Sequence, residues 1–80
     1  MTEVTVDWRT VAIDSLRGAA DDFAVRAQLQ ETSRDSARPG TGRHHHHAHS
    51  ATLWRLAEQS LRARISELEL PSAPWTRAGP

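Results

Sequence analysis

Apolar residues recur at helical spacing in two blocks of this chain. At 100° per residue, Trp8, Ala12, Leu16, Ala19, Ala20, Phe23 and Ala27 fall within one face of about 120°. Asp14, Arg17, Asp21 and Gln28 lie away from it. In the second block Leu53, Trp54, Ala57, Leu61, Ile65 and Leu68 share a face of similar width. Asp22 with Arg26, and Glu58 with Arg62, are favourably oriented i,i+4 pairs on the two helices. Period-two alternation is confined to Val4 and Val6 against Glu3 and Thr5, and one such segment has no partner strand. The pattern predicts an all-α chain.

Local chemistry sets the boundaries. Asp7 is placed to accept the first free helix N–H groups. Ser33 to Ala37 contains no breaker, so the first helix runs on to about Ala37. Pro39-Gly40-Thr41-Gly42 is the strong turn signal, with Thr41 or Gly42 opening the second helix. Pro71 stops that helix because its ring excludes the preceding residue from helical geometry. The prediction is a long antiparallel two-helix hairpin, with helices over about 7–37 and 42–70 and a turn at 38–42. A loose extended arm covers 1–6 and a Pro-rich tail 71–80. The competing reading makes 32–50 one structureless loop, which is long for so small a unit.

A fold at the Pro-Gly-Thr-Gly turn pairs residue i with about residue 80 − i. Phe23 then faces Ala57, Leu61 faces Ala19 and Ala20, and Leu68 faces Ala12. Large side chains oppose small ones along most of the seam, a pattern that lets helices interdigitate at close range. The predicted seam is Trp8, Leu16, Phe23, Leu53, Trp54, Leu61, Ile65 and Leu68. Val11, Val25 and Leu29 are left over on one side and form the candidate interaction surface. So few large residues make a thin core, so the hairpin is expected to form a homo-oligomer or to dock on another helical protein.

Composition narrows the picture. Eighty residues allow one small domain, and 38% apolar content is low for a globular chain. Ten arginines and no lysine, with twelve alanines, suggest a GC-rich bacterium or one of its phages as the source. The absence of cysteine excludes a disulfide framework, Cys-ligated zinc and thiol catalysis. No apolar run is long enough to span a membrane, and Met1 to Arg9 lacks the basic stretch and apolar core of a secretory signal. A cytoplasmic location is the default expectation.

Net charge is zero, divided as −2 over residues 1–40 and +2 over residues 41–80. That division suits two halves lying antiparallel and suits nucleic acid poorly, since phosphate binding needs a basic surplus. Arg55, Arg62 and Arg64 share their helix with Glu58, Glu67 and Glu69, so they form no basic stripe. No phosphate-binding glycine loop or nucleophile elbow occurs, and no enzymatic activity is expected.

The one chemically pointed motif is Arg43-His44-His45-His46-His47-Ala48-His49. On a helix, His45 and His49 (i,i+4) or His46 and His49 (i,i+3) could chelate zinc, nickel or copper. Glu31 and Asp35 could reach the cluster across the hairpin. The plainer reading is a solvated polar segment that needs no cofactor. Trp8 and Trp75 sit at the open end and are expected to pack together there. The leading expectation is therefore a small non-enzymatic helical interaction protein. A His-cluster metal binder is the alternative, and a DNA-associated regulator the second.

Overall fold

A computed structural model describes residues 7–70, and the protein is an all-α hairpin. Helix α1 spans Trp8–Ser36 and α2 spans Gly42–Glu69, and they pack against each other along their length. The arm at 1–6 and the tail at 71–80, with Trp75 and its expected packing on Trp8, lie outside the described residues.

Each helix end has a local cause. Asp7 Oδ1 accepts from the backbone N–H groups of Arg9 (3.0 Å) and Thr10 (3.4 Å), and Oδ2 accepts from the Thr10 hydroxyl (2.8 Å). These bonds satisfy otherwise orphaned donors. They also hold the Asp7 carboxyl below its ordinary pKa, the Thr10 hydroxyl contributing most. Helix α1 ends where the Ala37 N–H bonds back to Ser33 and Arg34 and Ala37 turns extended. Arg38 precedes Pro39 and is barred from helical geometry. Gly40 then takes φ +83°, a left-handed conformation that other residues adopt only with strain. Thr41 caps α2. Its hydroxyl donates to the Arg38 carbonyl (2.7 Å) and accepts from the His44 N–H (3.2 Å). The 32–50 segment is therefore helix, tight turn and helix, which disposes of the long-loop alternative.

The register differs from the expected one. Phe23 meets Trp54, with ring centroids 5.2 Å apart at 57°. His47 meets Gln30, and the Arg9 Nε donates to the Leu68 carbonyl. In each pair the two numbers sum to 77, against the expected 80. With Ala37 and Thr41 capping the two helices, the bend centres on Pro39 and not on the later Gly40-Thr41 pair. At a rise of 1.5 Å per residue the difference slides one helix past the other by roughly 4 Å. The expected large-on-small layers are thereby replaced. Phe23 stacks on Trp54 and not on Ala57, while Ala27 falls level with Ala51. The register also sets Leu16 level with Leu61, and Ile13 with Ile65.

The seam follows alternating three- and four-residue steps, the spacing of a coiled coil. On α1 it runs through Ile13, Leu16, Ala20, Phe23, Ala27, Gln30 and Arg34 to Ala37. On α2 it runs through His44, His47, Ala51, Trp54, Glu58, Leu61, Ile65 and Leu68. None of these residues is exposed. A seam this narrow excludes two residues expected in it. Trp8 is 74% and Leu53 is 53% exposed. Each precedes the residue that takes the inward place, Arg9 and Trp54, and one residue is 100° of helix.

The seam has two unlike halves. Large apolar side chains gather from the open end to Phe23 and Trp54. Toward the turn it contains alanines and the polar residues Gln30, Arg34, His44 and His47. The buried residues are Ala20, Ala27, Ala37, Ala51 and Ile65, so nothing larger than isoleucine is enclosed. Phe23→Ala should therefore cost about 2 kcal/mol, less than the ~3–5 kcal/mol of a fully enclosed ring. Chemical denaturation followed by circular dichroism measures this.

Candidate functional site

Among the described residues the ion pairs that bridge the helices lie on one side. The Arg55 guanidinium holds Glu31 across the hairpin with two bonds, Nε at 2.9 Å and Nη2 at 2.8 Å. Its Nη1 also donates to Glu58 at 3.0 Å. Glu58 occupies a seam position and accepts a second bond from Arg62 Nε at 2.8 Å. Arg62 reaches back across to Asp21 at 3.1 Å. Nearer the open end Arg17 pairs with Glu69 at 3.1 Å. Every cross-helix ion pair among the described residues falls on this flank, the ionic side.

The network explains how a carboxylate is tolerated in the seam. Two guanidinium groups surround Glu58, so its charge stays solvated by protein donors. Hydrogen bonds from Arg62 and then Arg55 hold the Glu58 carboxyl below its ordinary range, and that from Arg55 does the same for Glu31. The same contacts raise Arg55 and Arg62.

Among the described residues the opposite flank shows no cross-helix ion pair. Arg26 lies over the Trp54 ring at 5.3 Å, within cation–π range. Beside it an open, mainly apolar groove of about 340 Å³ is lined by Ser50, Leu53, Trp54 and Ala57. A second, polar groove of about 330 Å³ near the turn is lined by residues that include Ser33, Ser36, Arg43 and His47. Coiled-coil spacing puts Trp8 and Leu29 on this same open side. It puts Val11 and Val25 on the back of α1, facing directly away from α2.

The candidate contact residues Val11, Val25 and Leu29 are all exposed, Leu29 most at 62%. Leu53, Leu56 and Leu70 are exposed as well. Of these, the sequence pattern places Leu53 in the seam and Leu56 and Leu70 on no face. The signal that would have separated them is the seven-residue spacing, which polar residues in the seam obscure.

The histidine segment forms the first two turns of α2, and its members point different ways. His45, His46 and His49 are exposed, while His44 and His47 are half-buried. His47 Nδ1 is 2.7 Å from Gln30 Oε1, which ties this imidazole to the seam. Its ring lies edge-on to that of His46 at 5.3 Å. The carboxylates expected to complete a metal site are occupied elsewhere, Glu31 by Arg55 and Asp35 by Arg34 (2.9 Å). Among the described residues no group of three or more ligating side chains could hold a metal ion. No described helix is long and apolar enough to cross a membrane.

Comparison with known proteins yields no matching protein family, curated protein or solved structure. The functional reading rests on the geometry of this chain.

Two outcomes follow. Glu58 and Glu31 have folded pKa values below the ordinary 4.5, so their stabilisation is complete above that pH. It is lost as pH falls from about 4.5 through the depressed values. Helix content should drop in that window, and Glu58→Gln should flatten the drop in a pH titration by circular dichroism. For the histidines, an i,i+4 pair supplies two of the four ligands of a structural zinc site. Titration calorimetry with zinc and nickel should show weak binding with no fixed stoichiometry. Submicromolar one-to-one binding lost in His49→Ala would instead establish a site at His45, His46 and His49.

Proposed function

We propose that this protein is a small non-enzymatic helical interaction module that self-associates or docks on a helical partner. The observation that carries this reading is an inversion of the usual burial. Among the described residues seven large apolar ones are exposed, while the enclosed core holds four alanines and one isoleucine. A chain this short gains too little from such a core to be robust alone, and association supplies the missing burial. Among the described residues no cross-helix ion pair crosses the open side, which leaves one long flank suited to contact.

The contact residues proposed on α1 are Leu29, Val25 and Val11. Leu29 is placed on the open side, and the two valines extend the apolar strip around the back of the helix. Polar partners are disfavoured by the arrangement of charge. Of the four arginines on α2, Arg55, Arg62 and Arg64 are all paired with carboxylates, which leaves no continuous basic face for nucleic acid.

Thermal unfolding across a hundredfold range of protein concentration tests the reading. The midpoint should rise with concentration, as mass action requires of a fold stabilised by association. A monomer with a broad, incomplete transition would also accord with docking on a separate partner. A sharp transition of a monomer, identical at all concentrations, would overturn the proposal. Leu29→Asp should abolish the concentration dependence, with Val25→Asp having the smaller effect.

A further inference from the structure

We infer that the open side is a self-complementary interface, and that its occupant is a second copy of this chain stacked face to face with each helix antiparallel to its counterpart. This rests on the interaction-module reading and names its partner. Charge and shape carry the inference. Arg43 stands at the turn end of α2 on the open side and has no ion-pair partner among the described residues. Glu67 stands on the same side at the other end of α2, in an exposed pair with Arg64 at 2.7 Å. A two-fold axis at the level of residue 55 brings Arg43 of each copy to Glu67 of the other, so both ends are matched at once. Such reciprocity is the condition for a closed dimer.

The same axis runs through the apolar groove. It sets the exposed Leu53 of each copy over the half-buried Ala57 of the other, where the groove of Ser50, Leu53, Trp54 and Ala57 is open to receive it. Across the hairpin, level 55 of α2 corresponds to residue 22 of α1. There the axis sets Leu29 over Ser15 and Trp8 over Ser36, again large on small. Asp22 arrives at the axis already paired with Arg26 of its own helix at 3.0 Å. The area is also adequate. Helices of this length run about 43 Å, and two side by side present roughly 800 Å² per copy, the share a standard stable interface buries. An unrelated helical partner would have no reason to repeat this two-fold match.

Sedimentation equilibrium on the full chain and its charge-reversed variants tests the inference. The unaltered chain should be dimeric. Arg43→Glu and Glu67→Arg should each weaken the dimer by about tenfold or more, because each sets like charges together at both ends. Mixing these two variants should restore the affinity through a heterodimer, which shows that both remain folded. Ala57→Arg should block the groove and give a monomer of unchanged helix content. A dimer indifferent to all three substitutions, or a mixture that fails to recover, overturns the inference while leaving the interaction reading in place. So does a monomer with a broad, incomplete melt. A monomer that unfolds sharply and independently of concentration overturns both.

Discussion

The arrangement of this hairpin depends on one buried-side constraint, the carboxylate of Glu58 in the helix seam. A charge in that place must be matched by donors, and Arg55 and Arg62 supply them from the preceding and following turns. Their other donors reach Glu31 and Asp21 on the facing helix. The network therefore does more than neutralise Glu58. It draws α1 and α2 together at a set register and commits two arginines of α2 to one flank.

That commitment gives the molecule two unlike sides. Where arginines cross the hairpin, the seam is covered by charge and sealed from further apolar contact. On the other flank the positions beside the seam are Ala12, Ala19, Arg26 and Ser33 on α1 and Arg43, Ser50, Ala57 and Arg64 on α2, with Arg26 lying over Trp54. Small residues leave a trough, and Leu29 and Leu53 stand on its two banks. A lone two-helix hairpin buries only one stripe of each helix, and Leu29 and Leu53 lie outside that stripe.

The seam itself trades stability for definition. Its open half packs Leu16, Phe23, Trp54, Leu61 and Ile65. Its turn half substitutes alanines and the Gln30–His47 hydrogen bond. A polar pair within a helical seam contributes little net stability, but it penalises any register in which either group goes unpaired. With the Phe23–Trp54 contact it holds the helices to a sum of 77, and the tight Pro39-Gly40 bend allows the same offset.

Helix type, helix ends and the antiparallel topology were legible in the chain by itself, because each follows from residues close in sequence. Asp7 caps α1, Pro39 and Gly40 turn it, and Thr41 caps α2 through contacts no more than three or four residues long. The i,i+4 pairs Asp22–Arg26 and Glu58–Arg62 were equally readable. The side of the seam on which Leu53 and Trp8 lie was not. A 3.6-residue face includes them, whereas two helices in contact select a narrower 3.5-residue stripe, and Gln30, Arg34, His47 and Glu58 disguise that stripe as polar. Nor could the sequence assign Glu31 to Arg55, or His47 to Gln30. Those pairings join residues 24 and 17 positions apart, and a shift of two or three residues in register would dissolve them. Local chemistry decided that there would be two helices and where they would turn. The packing of one on the other decided which side of the hairpin was left open.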